Sequence, residues 1–192
     1  EPALGWAYTG FLSALRQNPD MDGAALGQLI VESYIQEDQR IVDENARAEF
    51  LQQGSPMGGL FGFMGTMSAS QLTQQFEQNI TLTAVDLGAL SALQTSMNNL
   101  AYELQSADQK QVAQARTYAQ SFTSVFGSDV PPSYIDLGSF VKLLQQNRTT
   151  SGVSQAIQGV LSAIDQVVIA EKHGSKKSGA TGISIYFPNS QL

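Results

Sequence analysis

The sequence contains no cysteine. Disulfides, thiolate metal sites and a cysteine nucleophile are therefore excluded from this chain. Histidine occurs once, at His173, which rules out a two-histidine zinc site and leaves a single imidazole for base chemistry near neutral pH. Charged residues make up only 14 %, well below the usual quarter. Basic residues are outnumbered 10 to 17, giving a formal net charge of -7. A chain this acidic has no basic face to gather phosphates, so nucleic acid is not an expected partner. Nor does any apolar run reach the roughly 18 residues needed to cross a bilayer, and no transmembrane segment is expected.

What is present suggests one domain or a large piece of one: 192 residues, 42 % of them apolar, with glutamine filling much of the polar surface. From Ala7 to Gln17, the positions Tyr8, Phe11, Leu12 and Leu15 recur at helical spacing, and Asn18-Pro19 ends the run. Asp20 or Asp22 then caps a second helix with Leu26, Leu29, Ile30 and Tyr34 on one face, so the two form a hairpin. The glutamine-rich stretch from Gln36 to Gln53 reads as an exposed helix or a loop. From Gly54 to Met67, glycine alternates irregularly with Met57, Leu60, Phe61, Phe63, Met64 and Met67. This fits an apolar loop, either pinned to the body or serving as a docking tip.

Thr83-Ala84-Val85-Asp86 has the form of a capping box, which predicts a long helix through Leu87, Leu93, Leu100 and Leu104. Asp108 opens another, carrying Val112, Ala115, Tyr118, Phe122 and Phe126, before Gly127 and Pro131-Pro132 end it. Tyr134-Ile135-Asp136-Leu137 leads into a short helix, and Val153 to Ala170 forms the last one. A loop from Gly174 to Gly182 then delivers Ile183-Ser184-Ile185-Tyr186-Phe187, β-branched and aromatic, as the one clear strand. A lone strand needs neighbours. Together with a first residue, Glu1, that lacks any signal-like stretch behind it, this predicts an upstream segment or a second chain that completes the sheet.

Candidate chemistry is sparse. Asn18, Asp20, Asp22 and Gly23 match the first half of a calcium loop, but Leu29 stands where the bidentate glutamate belongs. A helix cap explains the acids better. His173 has no G-x-S-x-G nucleophile elbow to serve. Neither Glu37 with Asp38 nor Glu44 with Glu49 has the spacing that sets two carboxylates side by side on a helix. The triplets beginning at Asn79 and Asn147 satisfy the N-glycosylation pattern.

Several segments in order resemble the clostripain family of cysteine peptidases: Gly5-Trp6-x-Tyr8, Phe11-Leu12-x-x-Leu15, Asn18-Pro19-x-Met21, Val31-x-x-Tyr34, Thr81 to Leu87, Tyr134-Ile135-Asp136-Leu137-Gly138-x-Phe140, and Gly182-Ile183-Ser184-Ile185-Tyr186-Phe187-Pro188. The similarity spans residues 1–192 except for 43–79, which reads as an insertion. It implies an α/β, caspase-like (clan CD) fold, to which this C-terminal portion contributes mainly helices and the final sheet strand. It also implies an endopeptidase cleaving peptides after arginine or lysine, with the catalytic His-Cys dyad upstream of Glu1. His173-Gly174 imitates the family's His-Gly but stands between the last helix and the last strand, so no catalytic residue is carried over. Glu1 and Trp6 would border the substrate cleft, the acid holding a basic side chain and the ring shaping the wall. Neither a metal nor a cofactor is implied, and the setting suggested is extracellular or the cell envelope. The alternative is a non-catalytic relative, a structural or interaction module docking through residues 54–67.

Overall fold

The computed structural model describes Trp6, residues 8–34, Asp43, Asn45, Gln71, Gln74, and residues 77–122, 133–147 and 149–188. The chain divides into two compact units, one of residues 1–80 with 172–176, the other of residues 81–171 with 177–192. The architecture is mixed α/β, mostly helical, with two small sheets.

In the first unit, α1 (Tyr8–Gln17) and α2 (Gly23–Ser33) form the expected hairpin. Helix α1 buries Phe11 but leaves Tyr8 and Leu12 about half exposed. Of the two candidate caps, Asp22 is the one used: its carboxylate accepts the Ala25 N–H at 2.8 Å, satisfying an amide with no partner inside the helix. At the far end, the Lys172 ammonium donates to the carbonyls of Glu32 (3.2 Å) and Tyr34 (2.9 Å), placing positive charge where the helix dipole is negative.

The second unit begins with β1 (Thr81–Val85), a departure from the expected capping box. Alternation in Thr-Leu-Thr-Ala-Val favours extended backbone, and the cap is Asp86 itself, accepting the Gly88 N–H at 2.8 Å ahead of a 3-10 turn and α3 (Leu90–Leu104). Asp108 caps α4 as expected, but this helix (Gln109–Tyr118) stops before Phe122, which lies in β2 (Ser121–Phe122). β3 (Tyr134–Asp136) runs directly into α5 (Leu137–Gln145), and Thr150 caps α6 (Ser151–Val167). Helix α6 ends three residues short of Ala170. The β-branched run Val167-Val168-Ile169 resists further helix, and β4 (Val168–His173) takes over, its last two residues belonging to the first unit. β5 (Ser184–Tyr186) closes the series. The chain therefore holds five described strands rather than one, and the neighbour of the final strand comes from the chain itself.

The core of this unit is built by α6. Val153, Ile157, Val160, Ile164 and Val167 recur at alternating steps of four and three and are at most 5 % exposed, packing against α3 and α5. Each such side chain contributes roughly 1.5–3 kcal/mol on burial. One sheet pairs β1 with β4; the other runs antiparallel in the order β2-β3-β5, with Tyr134 opposite Tyr186 and Ile135 opposite Ile185.

Candidate functional site: an aromatic cleft beside a buried carboxylate

Register decides which residues share a face of the β2-β3-β5 sheet. Directly opposed residues in antiparallel strands point the same way, so Ser121, Ile135 and Ile185 form one row and Phe122, Tyr134 and Tyr186 the next. The first row turns inward, where Ile135 is completely buried. The second crosses all three strands on the other face, with Tyr134 and Tyr186 still 53 % and 65 % exposed. Their rings meet edge to face, centroids 5.3 Å apart, an arrangement that suits the ring quadrupoles. At the β2 end, the Lys177 ammonium lies 5.8 Å from the Phe122 centroid and donates to the Ser121 carbonyl at 3.2 Å.

Phe122, Tyr134 and Ser184 form one wall of a cleft of about 530 Å³. Thr81 and Thr83 of β1 and Glu171 of β4 line it as well. Among the described residues the lining is mainly apolar, with hydroxyls distributed along it and one carboxylate, which belongs to the half-buried Glu171. Gly182 lets the chain pass closely here. Its φ of +101° suits glycine, and a Cβ would meet the Thr83 Cγ2 at 2.9 Å and the Val168 Cγ2 at 3.1 Å.

The loop that borders this cleft is anchored by Asp136, which is fully buried. One carboxylate oxygen accepts the Ser139 N–H (2.8 Å) and the Thr181 hydroxyl (2.7 Å); the other accepts the Thr181 N–H (2.7 Å). Gln120 extends the network: its N–H donates to the Ser139 Oγ, its carbonyl accepts the Asp136 N–H, and its side-chain oxygen accepts the Gly179 N–H. A buried carboxylate this well satisfied holds a loop in one geometry. Arg116, also buried, fixes the far side of β5 by donating from Nε to the Phe187 carbonyl at 2.9 Å.

Space beside Thr181 is equally constrained. A Cβ on Gly138 would overlap the Thr181 Oγ1 and lie 2.8 Å from its Cβ and Cγ2. Gly138→Ala is expected to destabilise the fold by about 2 kcal/mol in urea unfolding, because overpacking outweighs the roughly 1 kcal/mol that alanine gains in helix propensity. An unchanged midpoint would mean that Thr181 has room to move.

None of the candidate site residues singled out from sequence is among the described residues lining this cleft. Glu1 lies outside the described residues, as do Gly54 to Met67. Trp6 belongs to the first unit and is half-buried, its ring centroid 6.1 Å from that of Tyr34 and its carbonyl accepting the Tyr8 N–H. His173 is exposed and ends β4. Asn79 is exposed, whereas the Asn147 amide is half-buried and donates to the Leu143 carbonyl at 3.2 Å. Among the described residues, no group of three or more His, Cys, Asp or Glu side chains could hold a metal ion, and no helix is long and apolar enough to cross a membrane. The aromatic row escaped sequence reading because Phe122 continues the helical spacing of α4; alternation within Tyr-Ile-Asp and Ser-Ile-Tyr was the signal for the other two members.

No family model, curated protein or solved structure matches this chain.

Proposed function

We propose that this chain is the non-catalytic C-terminal portion of a clostripain-like cysteine endopeptidase that cleaves after arginine or lysine. A segment or second chain outside residues 1–192 would supply the thiol and its imidazole partner. In such chemistry, a histidine-activated thiolate attacks the peptide carbonyl while oriented amides stabilise the oxyanion. This chain has no thiol, so its part is to frame the site and to hold the substrate.

The observation that carries the reading is the smallness of the sheets. Among the described residues, the β1–β4 ribbon has two strands and the second sheet three, each strand of the second sheet only two or three residues long. A two-stranded ribbon is at best marginal by itself, yet here the strands sit on a helical core with an aromatic face outward. That pattern fits a sheet extended by further strands, and the ordered resemblance of the chain's segments names the kind of protein that would provide them. In this reading Trp6, whose ring centroid lies 6.1 Å from that of Tyr34, forms part of the substrate wall, and Glu1 is the acceptor for a basic side chain.

The test is an activity assay on material purified from its natural source under native conditions. Peptide amides with arginine or lysine before the scissile bond should be cleaved, those with glutamine should not, and thiol alkylation should abolish cleavage. Cleavage that survives alkylation would overturn the thiol chemistry, and no cleavage of any substrate would overturn the peptidase reading in favour of a non-catalytic relative.

A further inference from the structure

We infer that Tyr134 and Tyr186 form an oxidative modification site, where a peroxidase couples the two rings into dityrosine and staples β5 covalently to β3. This goes beyond the peptidase reading and does not require it.

The backbone sets the pair. The Phe187 N–H donates to the Ser133 carbonyl (2.7 Å) and the Leu137 N–H to the Ile183 carbonyl (2.9 Å), so the hydrogen-bonded rungs of this ladder include 133 with 187 and 137 with 183. Rungs of the two kinds alternate along antiparallel strands, which makes Tyr134 opposite Tyr186 a rung without hydrogen bonds. That is the closer kind, with Cα atoms about 4.5 Å apart. The rings meet edge to face with centroids 5.3 Å apart, and both are exposed. An oxidant can therefore reach either ring, and each has room to turn about its side-chain torsions without disturbing the core. Among the described ring contacts, this pair alone joins two tyrosines; Tyr8 meets Phe11, and Tyr34 meets Trp6.

Hydrogen peroxide, used through a haem peroxidase, balances the step. Each tyrosine gives up one electron and its phenolic proton, leaving a radical shared between the oxygen and the ortho carbons. A C–C bond forms between one ortho carbon of each ring, and the hydrogens displaced from those carbons pass to the oxygens and restore both phenols. The peroxide O–O bond breaks, so two phenols and one peroxide yield one biphenol and two waters. A chain without cysteine has no disulfide to close a loop. The biphenol closes the one between Tyr134 and Tyr186, restricting the unfolded chain as a disulfide does.

The test treats the full-length protein, at low concentration, with haem peroxidase and limiting hydrogen peroxide, then maps cross-linked peptides by tandem mass spectrometry. A Tyr134–Tyr186 link, two hydrogens lighter than the separate peptides, should form within the monomer and exceed any other tyrosine pair at least about tenfold. The exposed Tyr8, Tyr102 and Tyr118 are the internal comparison. Tyr134→Phe and Tyr186→Phe keep both rings but lack one phenol, and each should abolish the link without lowering the melting temperature. The linked monomer should melt about 5–10 °C above Tyr186→Phe protein oxidised in the same way. Dityrosine confined to dimers or to other tyrosines, no dityrosine at all, or a link that leaves the melting temperature unchanged would overturn the inference. The readout needs no peptidase activity, so loss of the peptidase reading would leave it standing.

Discussion

Replacing Asp136 with alanine is expected to lower the unfolding free energy by about 3–5 kcal/mol, measured by urea denaturation followed by circular dichroism. The carboxylate is completely buried and accepts from the Ser139 N–H, the Thr181 N–H and the Thr181 hydroxyl. Removing it strands three donors away from water, each costing roughly 1–3 kcal/mol when unsatisfied, less whatever local rearrangement recovers. Asp136→Asn is the sharper control. It keeps the shape and one acceptor oxygen but directs an NH₂ group at a donor, so most of the loss should remain. The effect should also be local, because Asp136 ties the loop before β5 to the start of α5: amide exchange at Thr181 should accelerate before the α6 core responds. A loss below about 1 kcal/mol for Asp136→Ala would mean that the loop is held by other contacts.

Gly174→Ala should be comparably damaging for a steric reason. Gly174 is buried, and a Cβ there would fall on the Glu77 carbonyl oxygen and on the carbon and oxygen of the Gln78 carbonyl. These are backbone atoms that no rotamer change can withdraw. The Gly174 N–H donates to the Ile80 carbonyl at 2.9 Å, which pins the approach. A cost of about 3 kcal/mol, at the upper end of overpacking, is expected. Gly23→Ala supplies the contrast: nothing lies within 4 Å of the added carbon, so stability should hold or rise slightly. The glycine of His173-Gly174 is thus explained by packing, without chemistry at the histidine. A neutral Gly174→Ala would remove that explanation.

The helices were legible because their signals are local. Asp108 could be picked as a cap and Asp22 as one of two candidates from their position before an apolar stripe, and both carboxylates accept a first-turn amide. The α6 stripe from Val153 onward was equally plain. What failed was the reading of segments whose pattern is shared between states. Thr83 and Asp86 have capping-box spacing, yet Thr81 to Val85 also alternates as a strand does, and pairing with β4 decides the outcome. Val168 continues the helical spacing of α6 until the β-branched run makes extended backbone the cheaper choice. β2, two residues long, is too short to carry a period at all. The cleft was illegible for the same reason, since its aromatic face depends on a register linking residues far apart in sequence.

The proposed peptidase activity requires a thiol outside residues 1–192, because this sequence has no cysteine. Intact mass spectrometry of natively purified source material, run under denaturing conditions after thiol alkylation, tests it most directly. The expected result is a companion polypeptide, or a longer covalent chain containing this sequence, that carries at least one alkylated cysteine. A sole species at the 20.6 kDa mass of the cysteine-free chain would contradict it.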